Sequence, residues 1–186
     1  MTLERSLAPD VLLRVATLDD AAGFAAAQVR NRDHLAPWEP VRSEAWFTEA
    51  GQKERLQAQL ERHKNGQVVP WLMISWDRVV GAMTLTDIVP GPFRSTSLGY
   101  WVDVELLGRG LATKAVQTVA ELADTELRLH RIEASTLVEN VPSQRVLEKC
   151  GFVQIGSAPD YLHIAGAWRD CHLFQRILNT RAPGEI

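Results

Sequence analysis

The sequence lacks several features that would place it quickly in a class of proteins. It has only two cysteines, Cys150 and Cys171, and their spacing matches no metal site, so we expect buried free thiols. No apolar run reaches the roughly 18 residues of a membrane span, and no signal-peptide pattern is present. These absences predict a soluble, cytoplasmic protein that does not act in a membrane.

The charge balance also excludes some partners. The formal net charge of −3 gives no general reason to bind nucleic acid or an anionic membrane. Hydrophobic residues make up 46% and charged residues 23% of the chain, which are ordinary values for a globular protein. We expect a single domain over residues 1–186, with a core at about 11–178. The tail, residues 179–186, contains Pro183 and Gly184 and is expected to fray.

The most informative stretch joins an extended apolar segment to the start of a helix. Leu98, Tyr100 and Val102 alternate as in a strand, and Gly108-Arg109-Gly110 precedes a helical pattern. This order directs unpaired N–H groups and the positive end of a helix dipole to one point, where phosphates commonly bind. Glycines let a ligand approach the main chain, and Arg109 adds a positive charge.

Two familiar phosphate-binding motifs do not fit this turn. A P-loop requires Lys followed by Ser or Thr, whereas Thr113 precedes Lys114 here. A dinucleotide fingerprint requires a third glycine at the position that Thr113 occupies. Both are excluded.

Three short motifs resemble segments of one enzyme family. Residues 107–112 are similar to its acyl-CoA pyrophosphate loop, although Leu107 replaces the usual Gln or Arg. Residues 140–143, followed by Gly151-Phe152, are similar to an Asn-x-x-Ser…Gly-Phe signature, and residues 31–38 to an Asn…His-Leu-x-Pro-Trp segment. The family is the GNAT N-acetyltransferases, and the last two motifs resemble its ribosomal-protein (RimJ/RimL-type) branch. Leu107 predicts a weakened contact rather than a lost site.

The pattern of periodicities agrees with the fold that this resemblance implies. It predicts an α+β protein in which a mixed, mainly antiparallel sheet is flanked by helices, the GNAT-like acyl-CoA N-acyltransferase fold. The predicted strands are residues 11–15, 68–75, 79–88, 97–103, 132–136, 152–156 and 168–178, and the predicted helices are 19–30, 43–66, 112–123 and 142–151.

The resemblance implies acetyl-CoA as co-substrate. Neither His34 nor His172 has a metal-ligand partner at helical spacing, so no metal is predicted. An exposed strand edge can pair with the amide groups of its pantetheine arm, and the resemblance places that edge where the strand ending near Val102 diverges from the strand at 132–136. The expected acetyl-CoA-binding residues are Val102, Asp103, Val104, Leu107, Gly108, Arg109, Gly110, Leu111, Ala112, Thr113, Asn140 and Ser143.

The resemblance also implies direct transfer of acetyl to an amine. Ser143 would give a proton to the departing thiolate and Asn140 would hold the donor, although Asn140-Val141-Pro142-Ser143 is also an ordinary helix cap. The general base stays open between Asp103 and Asp160, with Glu105 or a water relay as rivals.

The acceptor is the least determined part of this interpretation. Its expected site residues are Asn31, His34, Trp38 and Tyr100. By resemblance, the acceptor is the α-amino group of a protein or peptide N terminus, such as that of a ribosomal protein, and a homodimer is plausible. Two alternatives stay open: a small amine, such as an antibiotic, polyamine or amino acid, and a non-catalytic acyl-CoA-binding module.

Overall fold

Eight strands form one mixed sheet at the centre of the computed structural model, which describes residues 3–183. The order across the sheet is β1-β2-β3-β4-β5-β6-β8-β7, and every neighbouring pair except β5 and β6 is antiparallel. The predicted mainly antiparallel sheet is therefore confirmed. The strands are β1 (Arg5–Ala8), β2 (Val11–Val15), β3 (Val69–Ser75), β4 (Arg78–Val89), β5 (Ser95–Val102), β6 (Arg131–Leu137), β7 (Val153–Ile164) and β8 (Ala167–Ile177).

Helices cover both faces of this sheet. Because side chains alternate along a strand, Trp71 and Met73 of β3 pack in one core cluster, whereas Leu72 packs in another. α4 contributes small side chains such as Ala115 to the first cluster, and α1 and α3 contribute Phe24 and others to the second. The helices are α1 (Ala21–Arg30), α2 (Arg32–Leu35), α3 (Glu49–Lys64), α4 (Leu111–Thr125) and α5 (Val141–Lys149).

Within residues 3–183, the helices are too short or too polar to cross a membrane. Both cysteines, Cys150 and Cys171, are free and buried, as predicted.

The single parallel pair determines where the sheet opens. β5 and β6 pair only from Ser95 opposite Arg131 to Ser97 opposite Glu133, and no strand pairing joins them beyond that point. β6 continues along β8, while β5 continues along β4. The two strands therefore diverge, which confirms the expected separation and leaves a gap between them.

Some element boundaries differ from those predicted. β1 was not predicted, because Arg5-Ser6-Leu7-Ala8 is a short edge strand without the β-branched pattern. β7 continues to Ile164 through two irregularities in its pairing with β8. The helix predicted over 43–66 begins only at Glu49, since Thr48 caps α3 by accepting from the Gly51 N–H.

The C-terminal segment stays attached beyond the point where fraying was expected. Asn179 Nδ2 donates to Asp124 Oδ1 (2.7 Å) and to the Leu129 carbonyl (2.8 Å). The Arg181 guanidinium donates to the Asp124 carbonyl (2.9 Å). Residues 184–186 of the predicted tail lie outside the described residues.

Gly81 in β4 provides a test of this packing. A Cβ there would lie 2.3 Å from Met73 Cε and 2.7 Å from the Trp101 carbonyl oxygen, which is backbone and cannot move aside. We expect Gly81→Ala to lower the free energy of unfolding by about 1–3 kcal/mol, as overpacking does. A Cβ at Gly99 of β5 meets nothing within 4 Å, so Gly99→Ala is the control. Equal melting temperatures for the two variants would contradict the packing.

Candidate active site

A cavity of about 980 Å³ occupies the gap between the diverging strands. Residues 98–102 of β5 and residues 134–137 of β6 form two of its walls, and α1 and α3 contribute to its far end. This volume is within the range of small-molecule sites. The cavity therefore connects the glycine turn with the helical face of the sheet that carries α1 and α3.

The glycine turn lies at one end of the cavity. Gly108 and Gly110 have φ values of 76° and 73°, in the left-handed region that favours glycine. A Cβ at either position would meet no atom within 4 Å, so the space beside the main chain is open to a ligand. Gly110 begins α4 without a side-chain cap, and the first N–H groups of this 15-residue helix remain available. The turn thus has the geometry predicted for a phosphate site.

The exposed edge of β5 is shorter than expected. The Asp103 N–H donates to the Val80 carbonyl (2.9 Å), and the Val104 N–H donates to Asn31 Oδ1 (2.8 Å). Because N–H groups alternate in direction along a strand, those of Tyr100 and Val102 face the gap. Val102 is therefore the one residue of the predicted edge, 102–104, whose N–H is free for a ligand amide.

Most of the predicted acetyl-CoA residues line the cavity, but Asp103, Val104 and Arg109 do not. The Arg109 guanidinium donates to both carboxylate oxygens of Asp10, at 2.7 and 3.0 Å. Those hydrogen bonds lower the pKa of Asp10. Arg109 therefore holds the glycine turn to the β1–β2 turn, and its contact with a bound anion stays a prediction. The predicted residues that line the cavity are Val102, Leu107, Gly108, Gly110, Leu111, Ala112, Thr113, Asn140 and Ser143.

Asp103 and Asn31 belong to a buried polar cluster outside the cavity. The Asp103 carboxylate accepts from Arg30 Nε (2.7 Å), from Asn31 Nδ2 (3.1 Å) and from the Glu105 N–H (3.0 Å). Asn31 Nδ2 also donates to the Ala27 carbonyl (2.9 Å). Neither side chain is exposed. The cluster fixes the end of α1 to the end of β5. The acceptor role of Asn31 and the acetyl-CoA and base roles of Asp103 stay predictions, for residues that do not line the cavity.

Asp160 also lies away from the cavity. It is exposed in an irregular part of β7 with a φ of 47°, and its N–H donates to Asp170 Oδ1 (2.9 Å). Leu162, two residues further on, does line the cavity. Among the described residues, Glu39 is the acidic residue in the cavity wall, and the sequence did not single it out.

Ser143 and Tyr100 meet at the centre of the cavity wall. Asn140 caps α5 by accepting from the Ser143 N–H (3.2 Å), so the Ser143 side chain lies in the first turn. The Tyr100 hydroxyl is 2.9 Å from Ser143 Oγ and donates to the Ser143 carbonyl at 3.3 Å. Burial raises the pKa of Tyr100 to about 12, although the bond to Ser143 opposes this rise. Tyr100 is thus protonated at neutral pH. It was predicted as an acceptor residue, and in the structure its hydroxyl contacts Ser143.

The far end of the cavity contains His34 and Trp38, two of the predicted acceptor residues, and a polar group that the sequence did not reveal. That group includes Gln28, Trp46 and Arg55. The sequence did contain an indication of this group. Helical spacing places positions 52, 55 and 59 on the same face of α3 as Leu56, which is buried.

Comparison with known proteins identifies this arrangement. A family model described as an acetyltransferase (GNAT) domain matches residues 10–153. The chain belongs to the GNAT family. An Escherichia coli relative named as the alanine N-acetyltransferase of ribosomal protein uS5 is 33% identical over 153 residues, which cover 81% of this chain and 79% of that protein.

Two solved structures place the chain beside the RimJ/RimL-type GNAT enzymes, as the motifs predicted. The ribosomal-protein-S5-alanine acetyltransferase from Vibrio fischeri is 34% identical with a TM-score of 0.92, covering 97% of this chain and 99% of that one. Mycobacterium smegmatis RimJ, in complex with CoA-disulfide, is 32% identical with a TM-score of 0.85, covering 90% of this chain and 81% of that one.

This GNAT protein is an N-acetyltransferase with acetyl-CoA as its co-substrate. Its residues fit that substrate: the open glycine turn suits the diphosphate, and the free N–H of Val102 suits a pantetheine amide. Residues 3–183 contain no group of three His, Cys, Asp or Glu that could hold a metal ion.

The glycine turn is tested by a pair of substitutions that differ only in charge. Both Gly110→Asp and Gly110→Asn add a side chain of the same size, and both residues tolerate positive φ. We expect the aspartate to bind CoA about tenfold more weakly than the asparagine, a difference of about 1.4 kcal/mol, because it places a negative charge against the diphosphate. Equal affinities by isothermal titration calorimetry would contradict the assignment.

The buried cluster is tested by Asp103→Asn, which leaves Arg30 without an anionic partner. We expect the free energy of unfolding to fall by about 2–3 kcal/mol at neutral pH. Burial alone would raise the pKa of Asp103, but the bonds from Arg30, Glu105 N–H and Asn31 lower it below 3.8. The stabilisation is therefore present above the unfolded-state pKa and is lost as pH falls through the lower folded-state pKa.

Urea unfolding of wild type and Asp103→Asn should accordingly give free energies of unfolding whose difference becomes smaller as pH falls toward about 3. Glu105→Gln is the control, because Glu105 pairs with Arg78 at the exposed surface and should change stability by less than about 0.5 kcal/mol. A difference between wild type and Asp103→Asn that is independent of pH would contradict this account.

Proposed function

We propose that this enzyme acetylates the α-amino group at a protein or peptide N terminus, such as that of a ribosomal protein. The supporting observation is one continuous cavity that joins the glycine turn, the Ser143–Tyr100 pair and an end containing His34 and Trp38. Relatives similar over most of the chain are named for acetylating an alanine of a ribosomal protein. Acceptor and acetyl-CoA would occupy the cavity together.

The transfer itself needs little from the protein beyond position and protons. The amine nitrogen attacks the thioester carbonyl carbon, a C–N bond forms, the C–S bond breaks, and the nitrogen loses a proton while the sulfur gains one. Ser143 Oγ is the proton donor to sulfur in this proposal. Tyr100 is a positioning residue, because its hydroxyl lies 2.9 Å from Ser143 Oγ and fixes the place of that oxygen. Ser143 regains its proton from the one that the amine loses, through water.

Residues of the cavity wall accept the proton that the amine loses. His34 and Glu39 both line the cavity and can accept a proton directly or through water. The geometry favours them over Asp103, whose carboxylate is saturated by the Arg30 cluster, and over Asp160, which lies outside the cavity.

The cytoplasmic location and the homodimer predicted from the sequence stay predictions. The location agrees with the proposed acceptor, since ribosomal proteins are made and assembled in the cytoplasm. The absence of direct nucleic-acid binding stays a prediction on the same terms, from the net charge of −3.

The proposed function is tested by thiol release from acetyl-CoA with a panel of acceptors. We expect release with peptides that begin with alanine or serine and have a free α-amino group, and none with the same peptides acetylated at that position. Release with polyamines, antibiotics or free amino acids but not with peptides would assign a small-molecule enzyme. CoA binding without release by any acceptor would assign a binding module.

The Ser143–Tyr100 pair is tested by a double-mutant cycle. Ser143→Ala should lower kcat about 10²-fold, the effect of losing a general acid, with CoA affinity little changed. Tyr100→Phe should lower kcat by about tenfold in the wild type and have no further effect in Ser143→Ala, because it acts through that serine. Tyr161→Phe, at the chain's other tyrosine, is the control, since Tyr161 is exposed on β7. Additive effects would contradict the pairing.

A further inference from the structure

Arg55 lies in the cavity wall and forms no ion pair with an acidic side chain of residues 3–183. Its Nε donates to Gln52 Oε1 (2.6 Å) and its Nη1 to Gln59 Oε1 (2.9 Å), and both partners are neutral amides. Of the five N–H donors of a guanidinium, these bonds use two. Within residues 3–183, nothing accepts a hydrogen bond from Nη2.

The position of this guanidinium is fixed by aromatic rings. Its central carbon lies 4.3 Å from the Phe24 ring centroid and 5.4 Å from that of Trp46. Burial lowers the pKa of Arg55 to about 10; repulsion from Arg42 adds to the decrease, and attraction to Glu39 opposes it. Arg55 is therefore a cation at neutral pH, held by its neighbours while several of its donors stay unused.

The cavity contains too few acids to balance its basic groups. Among the described residues of its wall, Arg42, Arg55 and Lys149 are basic, and Glu39 is acidic. Glu39 Oε2 accepts from Arg42 Nε at 3.3 Å. The one carboxylate of the described wall is thus hydrogen-bonded to Arg42. Glu39 attracts Arg55 electrostatically but forms no ion pair with it.

A second unused donor lies beside the same tryptophan. Gln28 is 2% exposed and lines the cavity. Trp46 Nε1 donates to Gln28 Oε1 (2.8 Å), which fixes the amide orientation because indole can only donate. The Gln28 Nε2 group is then a buried donor for which residues 3–183 provide no acceptor. Such a group costs stability unless something else accepts its hydrogen bonds.

We propose that Arg55 and Gln28 bind a carboxylate of the acceptor. A carboxylate is an acceptor-only group whose two oxygens match the planar fork of a guanidinium. This inference rests on the proposed N-acetyltransferase function and specifies its substrate. Two sources share this chemistry: an Asp or Glu side chain close to the N terminus of a peptide, and the α-carboxylate of a free amino acid.

The location assigns this carboxylate to the acceptor rather than to acetyl-CoA. Arg55 belongs to α3, which packs on the sheet face that carries α1. The glycine turn leads into α4, which packs on the opposite face. The anion sites for the two substrates are therefore built from different layers of the fold.

The test compares peptides that are identical except for one charge. Alanine-initiated peptides with Glu at the second, third or fourth position are each paired with the Gln peptide, and free amino acids are paired with their amides. We expect wild type to favour the acidic member of at least one pair by about tenfold in kcat/KM, mainly through KM. Preference among peptides only, or among amino acids only, identifies the source of the carboxylate.

Substitutions then connect the preference to Arg55. Arg55→Gln should reduce the acidic-to-neutral ratio to about one, and Arg55→Lys should reduce it severalfold, because lysine keeps the charge but loses the fork. Arg62→Gln is the matched control, since Arg62 lies on the same helix, is half exposed and pairs with Asp87 at the surface. It should keep the wild-type ratio.

Two results would overturn the proposal. Neutral and acidic acceptors turned over equally well by wild type would do so whether or not the variants fold. An undiminished ratio in Arg55→Gln, or in Arg55→Lys if the glutamine variant does not fold, would also do so. Failure of the proposed function is a different outcome, in which peptides of neither charge stimulate thiol release.

Discussion

The divergence of β5 from β6 is the constraint on which the site depends. In an antiparallel sheet, neighbouring strands satisfy each other's main-chain N–H and C=O groups along their length, so no gap forms between them. Here the one parallel pair ends after Ser97, so the N–H groups of Tyr100 and Val102 have no strand partner on that side. Polar main chain of this kind must be satisfied by ligand or water, and the gap is therefore chemically suited to an amide-bearing substrate.

The glycine turn and Ser143 are both attached to the two strands that border that gap. β5 leads into the glycine turn and α4, and β6 leads into Asn140 and α5, so the anion end and Ser143 lie on opposite sides of the opening. The buried cluster of Arg30, Asn31 and Asp103 holds the end of β5 to α1. Since a well-bonded buried ion pair is costly to break, the divergence is maintained by contacts outside the cavity.

The parts of this site that could be predicted are those with local causes. Gly108 and Gly110 are required by the backbone at their own positions, and Asn140 caps the turn that contains Ser143. Asp103 and Arg109 could not be placed, because their roles depend on Arg30 and Asp10, which are 73 and 99 residues away in the chain. A single sequence shows that an acid is present but does not show which base neutralises it.

The surroundings of Arg55 could not be predicted from the sequence either, although for a different reason. Its helical spacing with the buried Leu56 was visible in the sequence, yet an arginine on such a face normally extends to solvent. Only the arrangement of Phe24, Trp46 and two glutamines shows that Arg55 forms no ion pair within residues 3–183. Predicting the absence of an ion pair would require knowing which side chains surround Arg55 in the folded protein.

The ion pair between Arg109 and Asp10 has a consequence for how tightly any diphosphate is held at the glycine turn. The guanidinium already has a carboxylate partner before a ligand arrives, so contact with phosphate would be an exchange of one anion for another. The net gain is then a small difference between two similar attractions, and dissolved salt weakens both of them. Affinity at this end must come mainly from main-chain amides, which carry no competing counterion and keep their direction whether the turn is filled or empty.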